Sequence, residues 1–137
     1  MLTQLAIQDY AIVDRLELDL TRGMTAITGE TGAGKSILLG ALGLCLGERA
    51  DAGSVRHGCE RTDLSARFDI QHLPAATEWL VARELPADEC LLRRVVTANG
   101  RSKAWINGTP VPVSQQKSLA PLLVNIHGQH EHQLLLK

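Results

Sequence analysis

The sequence has 137 residues, 45% hydrophobic and 21% charged, and 14 Lys+Arg against 15 Asp+Glu leave a formal net charge of -1. That length removes roughly 68% of the unfolded surface from water on folding, which suffices for one packed core. Average hydrophobicity excludes a disordered chain, and near-neutral charge excludes strong global steering towards nucleic acid.

Aromatic residues are only 3% of the chain, so the core is expected to be aliphatic, and a base-stacking face for single strands is not expected. Cys45, Cys59 and Cys90 are an odd number without C-x-x-C spacing, which reads as reduced thiols rather than a disulfide framework or a zinc site. The first twenty residues interleave acids with apolar residues, and no apolar run reaches the ~18 residues of a membrane span. A cytoplasmic protein without leader or membrane partner is therefore expected.

In chain order, residues 2–8 and 11–20 alternate apolar and polar side chains, with one slip of phase near Val13, and predict two half-buried strands. Thr21-Arg22-Gly23 reads as a turn, and Met24 to Thr28 as a short strand running into Gly29. Lys35 to Leu46 then places Ile37, Leu38, Ala41, Leu42 and Cys45 at helical spacing. The stretch "AATEWLVARELP" predicts an amphipathic helix in which Trp79 packs rather than stacks on bases. Asn99-Gly100 and Asn107-Gly108 are hairpin signals, so residues 90–112 predict an antiparallel meander that also holds Trp105 as a packing residue. Arg93, Arg94, Arg101 and Lys103 cluster on it, a pattern that fits a solvated sheet face as well as contacts to DNA phosphates. A helix near 114–122 and a strand "LVNIHG" follow.

The strand, glycine loop and helix around residue 30 carry the chemistry. Gly29, Glu30, Thr31, Gly32, Ala33, Gly34, Lys35 and Ser36 fit G-x-x-x-x-G-K-[ST], the phosphate-binding loop. Its glycines let consecutive N–H groups turn inward as an anion nest, and the helix that follows adds its positive end. Lys35 is then expected on the β- and γ-phosphates of ATP, and the Ser36 hydroxyl on Mg²⁺. His127, His130, His132 and Glu131 lack the HExxH spacing that places two ligands on one helical face, so they are not expected to hold a metal.

The segments "LAIQDYAIVDRLELDL", "GMTAITGETGAGKSILLGALGLCLGERAD", "SVRHG", "GRSKAWINGTPV" and "VNIHGQHEHQLLL" together resemble the RecN family, bacterial DNA-repair ATPases of the structural-maintenance-of-chromosomes (SMC) class. The resemblance covers essentially the whole chain. It implies an α/β P-loop NTPase fold, the N-terminal lobe of an ABC/SMC-type head over residues 1–137, with antiparallel β groups flanking the P-loop strand and helix. It further implies Gln129 as the Q-loop glutamine serving Mg²⁺ and the attacking water, and Arg56 as an arginine near the phosphates or a facing head.

No apolar run ending in Asp-Glu and no LSGG-like stretch is present. In such a head those elements belong to a C-terminal lobe, reached through a coiled coil. This chain alone is thus expected to be inactive, with the C-terminal lobe, a second head in an ATP-dependent homodimer, DNA and the nucleoid as its surroundings. A lobe without its central partners is also expected to expose an apolar sheet edge or face. A P-loop nucleotide or small-molecule kinase and a non-catalytic assembly module are the alternatives.

Overall fold

A computed structural model of the protein describes residues 1–20, 32–50 and 52–124. Its strands are β1 (Leu2–Tyr10), β2 (Val13–Asp19), β3 (Arg61–Phe68), β4 (Cys90–Thr97), β5 (Ser102–Ile106) and β6 (Thr109–Val111). Its helices are α1 (Gly32–Cys45), α2 (Pro74–Ala82) and α3 (Val113–Leu123), with a 3₁₀ turn at Ala52–Ser54. The expected turn 21–23, strand 24–28, Gln129 and the histidine group lie outside the described residues, as does all but the start of the strand "LVNIHG", whose Leu123 ends α3.

All six strands form one sheet in the order β2-β1-β3-β4-β5-β6, with every neighbouring pair antiparallel. The two antiparallel groups expected from the sequence are therefore one continuous surface. β3 joins them, pairing Leu64 with Ile7 on one side and with Arg94 on the other. Its Thr62, Leu64, Ala66 and Phe68 point inward and are fully buried, while Arg61, Asp63, Ser65 and Arg67 alternate outward.

The inner face is covered by α1, α2 and α3. Leu38, Ala41, Leu42 and Cys45 of α1 pack with Leu5, Ile7, Leu64 and Leu92 of the sheet, and Leu80 of α2 and Leu119 of α3 complete the same core. The outer face is polar, with Gln4, Glu17, Asp19, Ser65 and Arg67 around a recess of about 420 Å³. Among the described residues the large hydrophobic side chains left exposed are Met1, Ile12 and Val81, which are scattered. The apolar face expected from a missing partner is thus not found among them. Charged and polar residues alternate onto the solvent side of β1–β4, and Arg93–Asp63 and Arg67–Glu89 ion pairs cross it.

Both Asn-Gly signals are turns. Asn107 and Gly108 have φ of 51° and 82° between β5 and β6, as a two-residue type I′ hairpin requires. The Asn107 side chain does more than turn the chain: its Nδ2 donates to Pro86 O (2.6 Å) and Glu89 O (2.7 Å), and its Oδ1 accepts from Leu91 N–H (2.7 Å). One amide thereby fixes the loop before β4.

Candidate nucleotide-binding site

The observed α1 begins at Gly32, inside the phosphate-loop motif and three residues earlier than the periodicity suggests. A helix start leaves its leading N–H groups, here those of Gly32, Ala33 and Gly34, without intrahelical partners and concentrates about half a positive charge there. No acidic residue occupies that first turn, so nothing in it opposes an anion. Ser36, the motif's hydroxyl, is exposed. Gly29, Glu30 and Thr31 lie outside the described residues. The described helix start fits a nucleotide phosphate chain, and the exposed Ser36 hydroxyl is the described group that could reach its magnesium.

The helix direction is fixed by two contacts. Near its C-terminus, Leu44 O accepts from the Arg94 guanidinium of β4 (2.8 Å). Four residues earlier, Gly40 lies so near Tyr10 that an added Cβ would come within 2.5 Å of the phenol oxygen. Going towards its N-terminus, α1 therefore runs from the middle of the sheet towards the β1–β2 turn, and Ser36 lies about 6 Å beyond Gly40 at 1.5 Å per residue.

Arg56 sits at that same end. Its N–H donates to Asp9 O (2.8 Å), and the adjoining Val55 bridges Tyr10. Ala11 N–H donates to Ser54 O (2.9 Å), so residues 54–56 are fastened to the β1–β2 turn. Asp9 and Ala11 hold φ of 55° and 52°, a left-handed backbone that costs of order 1 kcal/mol per non-glycine residue. The Arg56 guanidinium is 3.6 Å from the exposed Asp14 carboxylate, a contact weak enough in water to be exchanged for another anion.

The basic cluster expected on the meander does not exist as one surface. Neighbouring residues of a strand face opposite sides, so Arg93 and Arg94 are separated by the whole sheet. Arg93 makes a bidentate pair with Asp63 (3.0 and 2.6 Å) and lies 4.7 Å from the centroid of Trp105. Its hydrogen bond to Asp63 raises the guanidinium pKa above its ordinary value. Arg94 is buried at 2% exposure and donates to Leu44 O, Glu48 O (2.9 Å) and Ser102 Oγ (3.1 Å). Burial lowers its pKa, although the group stays cationic at neutral pH. Arg101 and Lys103 are exposed. Trp79 packs partly buried against the core under Arg83, whose guanidinium is 3.8 Å from the ring centroid.

Arg94 is the residue whose place the sequence did not reveal: it holds the C-terminal end of α1 from the sheet. The alternation of β4, with Cys90, Leu92 and Val96 inward, was the available signal, since it places residue 94 on the core side. Among the described residues no group of His, Cys, Asp and Glu is placed to hold a metal. No helix among them is long and apolar enough to cross a membrane.

The family described as "AAA domain" matches residues 4–79, more than half of the sequence and the part that contains the loop, α1 and β3. The chain belongs to this family. Along its whole length it is also similar to the DNA repair protein RecN of Vibrio cholerae (56% identical over 138 residues) and of Haemophilus influenzae (52% over 141 residues). It covers 25% of each, so it spans about a quarter of the length of these curated relatives. In three dimensions it resembles a structure described as "Structural biochemistry of ATP-driven dimerization and DNA stimulated activation of SMC ATPases", with a TM-score of 0.70 at 19% identity over 99% of this chain and 86% of the other. At that identity the likeness establishes the fold alone. It agrees with the α/β, SMC-head type of lobe expected from the sequence.

Proposed function

We propose that this chain is the ATP-binding N-terminal lobe of an SMC-like ATPase head acting in DNA double-strand break repair and recombination. The observation that supports the proposal is the start of α1 at Gly32, within Gly29 to Ser36, since a helix N-terminus at that point of the motif suits a phosphate chain. The similarity to RecN over the whole chain supports the repair assignment. In this reading Lys35 neutralises the β- and γ-phosphates, and Ser36 and Gln129 serve the magnesium. Mg²⁺ when bound supplies charge neutralisation for the terminal phosphates. Arg56, at the same end of the sheet as the α1 N-terminus, exchanges Asp14 for a phosphate or a facing head.

Hydrolysis then requires the C-terminal lobe for the carboxylate that orients water, and a second head for the remaining phosphate contacts. DNA engages the assembled protein. A head of this kind couples nucleotide binding to dimerisation, because the second head gains binding energy only when phosphate is in place.

The test is Lys35→Ala in the completed head, this lobe together with its C-terminal lobe. Loss of nearly all ATP turnover with an unchanged circular dichroism spectrum is expected. Turnover at the wild-type rate would show that the motif is not the nucleotide site.

A further inference from the structure

We infer that Arg94 is a positioning residue for the nucleotide site, holding the far end of α1 so that its N-terminus presents the phosphate-binding N–H groups in register. This inference rests on the nucleotide reading of Gly29 to Ser36.

The C-terminus of α1 closes with Glu48 N–H donating to Gly43 O (3.1 Å) and Gly47 N–H to Leu44 O (3.2 Å), the paired bonds of a Schellman motif. Gly47 has a φ of 92°, and a Cβ there would stand 2.5 Å from the Lys117 backbone nitrogen of α3. The carbonyls left over at this end carry about half a negative charge. Into them the sheet sends one cation. A single Arg94 nitrogen, Nη1, donates to both Leu44 O and Glu48 O, so one rigid fork grips the helix and the turn that ends it. Nη2 donates to Ser102 Oγ on β5, which orients the fork from the sheet side.

The salt bridges among the described residues pair other arginines, namely Arg15, Arg56, Arg67 and Arg93, with carboxylates. Arg94 instead has backbone carbonyls and a hydroxyl, and its Nε is buried without a hydrogen-bond partner. A desolvated arginine on such terms is costly unless it performs a task that packing does not. The partner it meets is the negative end of the helix whose positive end faces the phosphates. A planar guanidinium adds directional hydrogen bonds to the apolar packing of α1 on β3 and β4, and these fix both translation along α1 and rotation about it. A shift of one ångström at the phosphate-facing end is enough to weaken binding and slow transfer.

The experiment compares wild type, Arg94→Met, Arg94→Lys, Ser102→Ala and Lys35→Ala in the completed head. Each is followed by equilibrium binding of a fluorescent ATP analogue with Mg²⁺, by steady-state turnover and by thermal unfolding. Arg94→Met is expected to lose tenfold or more in nucleotide affinity at a temperature where it remains fully folded, and Arg94→Lys to recover most of it by restoring donors to the two carbonyls. Ser102→Ala, which frees only one side of the fork, is expected to fold normally and lose two- to threefold.

A folded Arg94→Met with wild-type affinity and turnover overturns the inference. If Arg94→Met does not fold, Ser102→Ala decides: wild-type affinity in that folded variant reduces Arg94 to a core residue and overturns the inference equally. Lys35→Ala separates the two levels. Unchanged nucleotide binding in that variant defeats the site itself, whereas a binding loss there beside intact binding in the Arg94 variants defeats only the positioning role.

Discussion

Burial decides what the three thiols do. Cys45 and Cys90 are fully buried, and desolvation pushes each thiol up to about 12, with the Glu89 charge adding to the effect at Cys90. Cys59 is only partly covered, at the end of the segment that carries Arg56. Because the folded-state values lie above the ordinary value of 9.0, both states are protonated below that pH, and the unfolded chain alone ionises above it. Stability conferred by the two buried thiols is therefore complete below pH 9 and lost as pH rises towards 12. Iodoacetamide at pH 8 is expected to alkylate Cys59 at least a hundredfold faster than Cys45 or Cys90, read by peptide mass. All three should react at similar rates in denaturant; fast native-state labelling of Cys45 would show that the α1–sheet contact opens. The sequence foretold reduced thiols but could not rank them, since burial is a property of the packed sheet. Similarly, it grouped Arg93 with Arg94 because they are adjacent, where strand alternation separates them.

At the scale of elements, the helices and hairpins were legible wherever a local pattern sufficed. The apolar spacing from Ile37 to Cys45 marked α1, and Asn107-Gly108 marked its hairpin to the residue. β3 was not anticipated, although it is the strand that unites the sheet. Its inward positions include Thr62 and Ala66, which are weakly apolar, and its outward positions are charged or small, so the alternation is faint without knowledge of its neighbours. The end of α2 shows the same dependence on context. Leu85 N–H donates to Leu80 O (3.0 Å) and Glu84 N–H to Val81 O (3.0 Å), a Schellman closure in which Glu84, not glycine, holds the left-handed φ of 59°. Glu84→Gly should remove about 1 kcal/mol of backbone strain and return part of it through the freer unfolded chain, leaving a gain of about 0.5 kcal/mol. A chemical-denaturation midpoint that rises with unchanged slope checks this. A lowered midpoint would mean that the Glu84 side chain has a role outweighing the strain.

At the scale of the whole molecule, one sheet face is closed by three helices and the other carries polar residues and crossing ion pairs. That arrangement makes a self-consistent layer around α1, with Arg94 at one end of the helix and the loop motif at the other. A phosphoryl-transfer site needs charge stabilisation on several sides of the terminal phosphate and a group that orients water, and in the proposed reading the described residues supply the α1 side and the β1–β2 turn. The sequence holds no apolar run ending in Asp-Glu and no LSGG-like stretch, the elements that the family resemblance assigns to another lobe. The purified 137-residue chain is accordingly expected to show no ATP turnover above the blank in a phosphate-release assay. Addition of the separately produced C-terminal lobe should restore turnover with a dependence on head concentration steeper than linear, if two heads meet around each nucleotide as the proposed function requires. Lys35→Ala in the N-terminal partner should abolish the restored activity. Robust turnover by the chain alone as a monomer would contradict both the lobe assignment and the division of the site between two lobes.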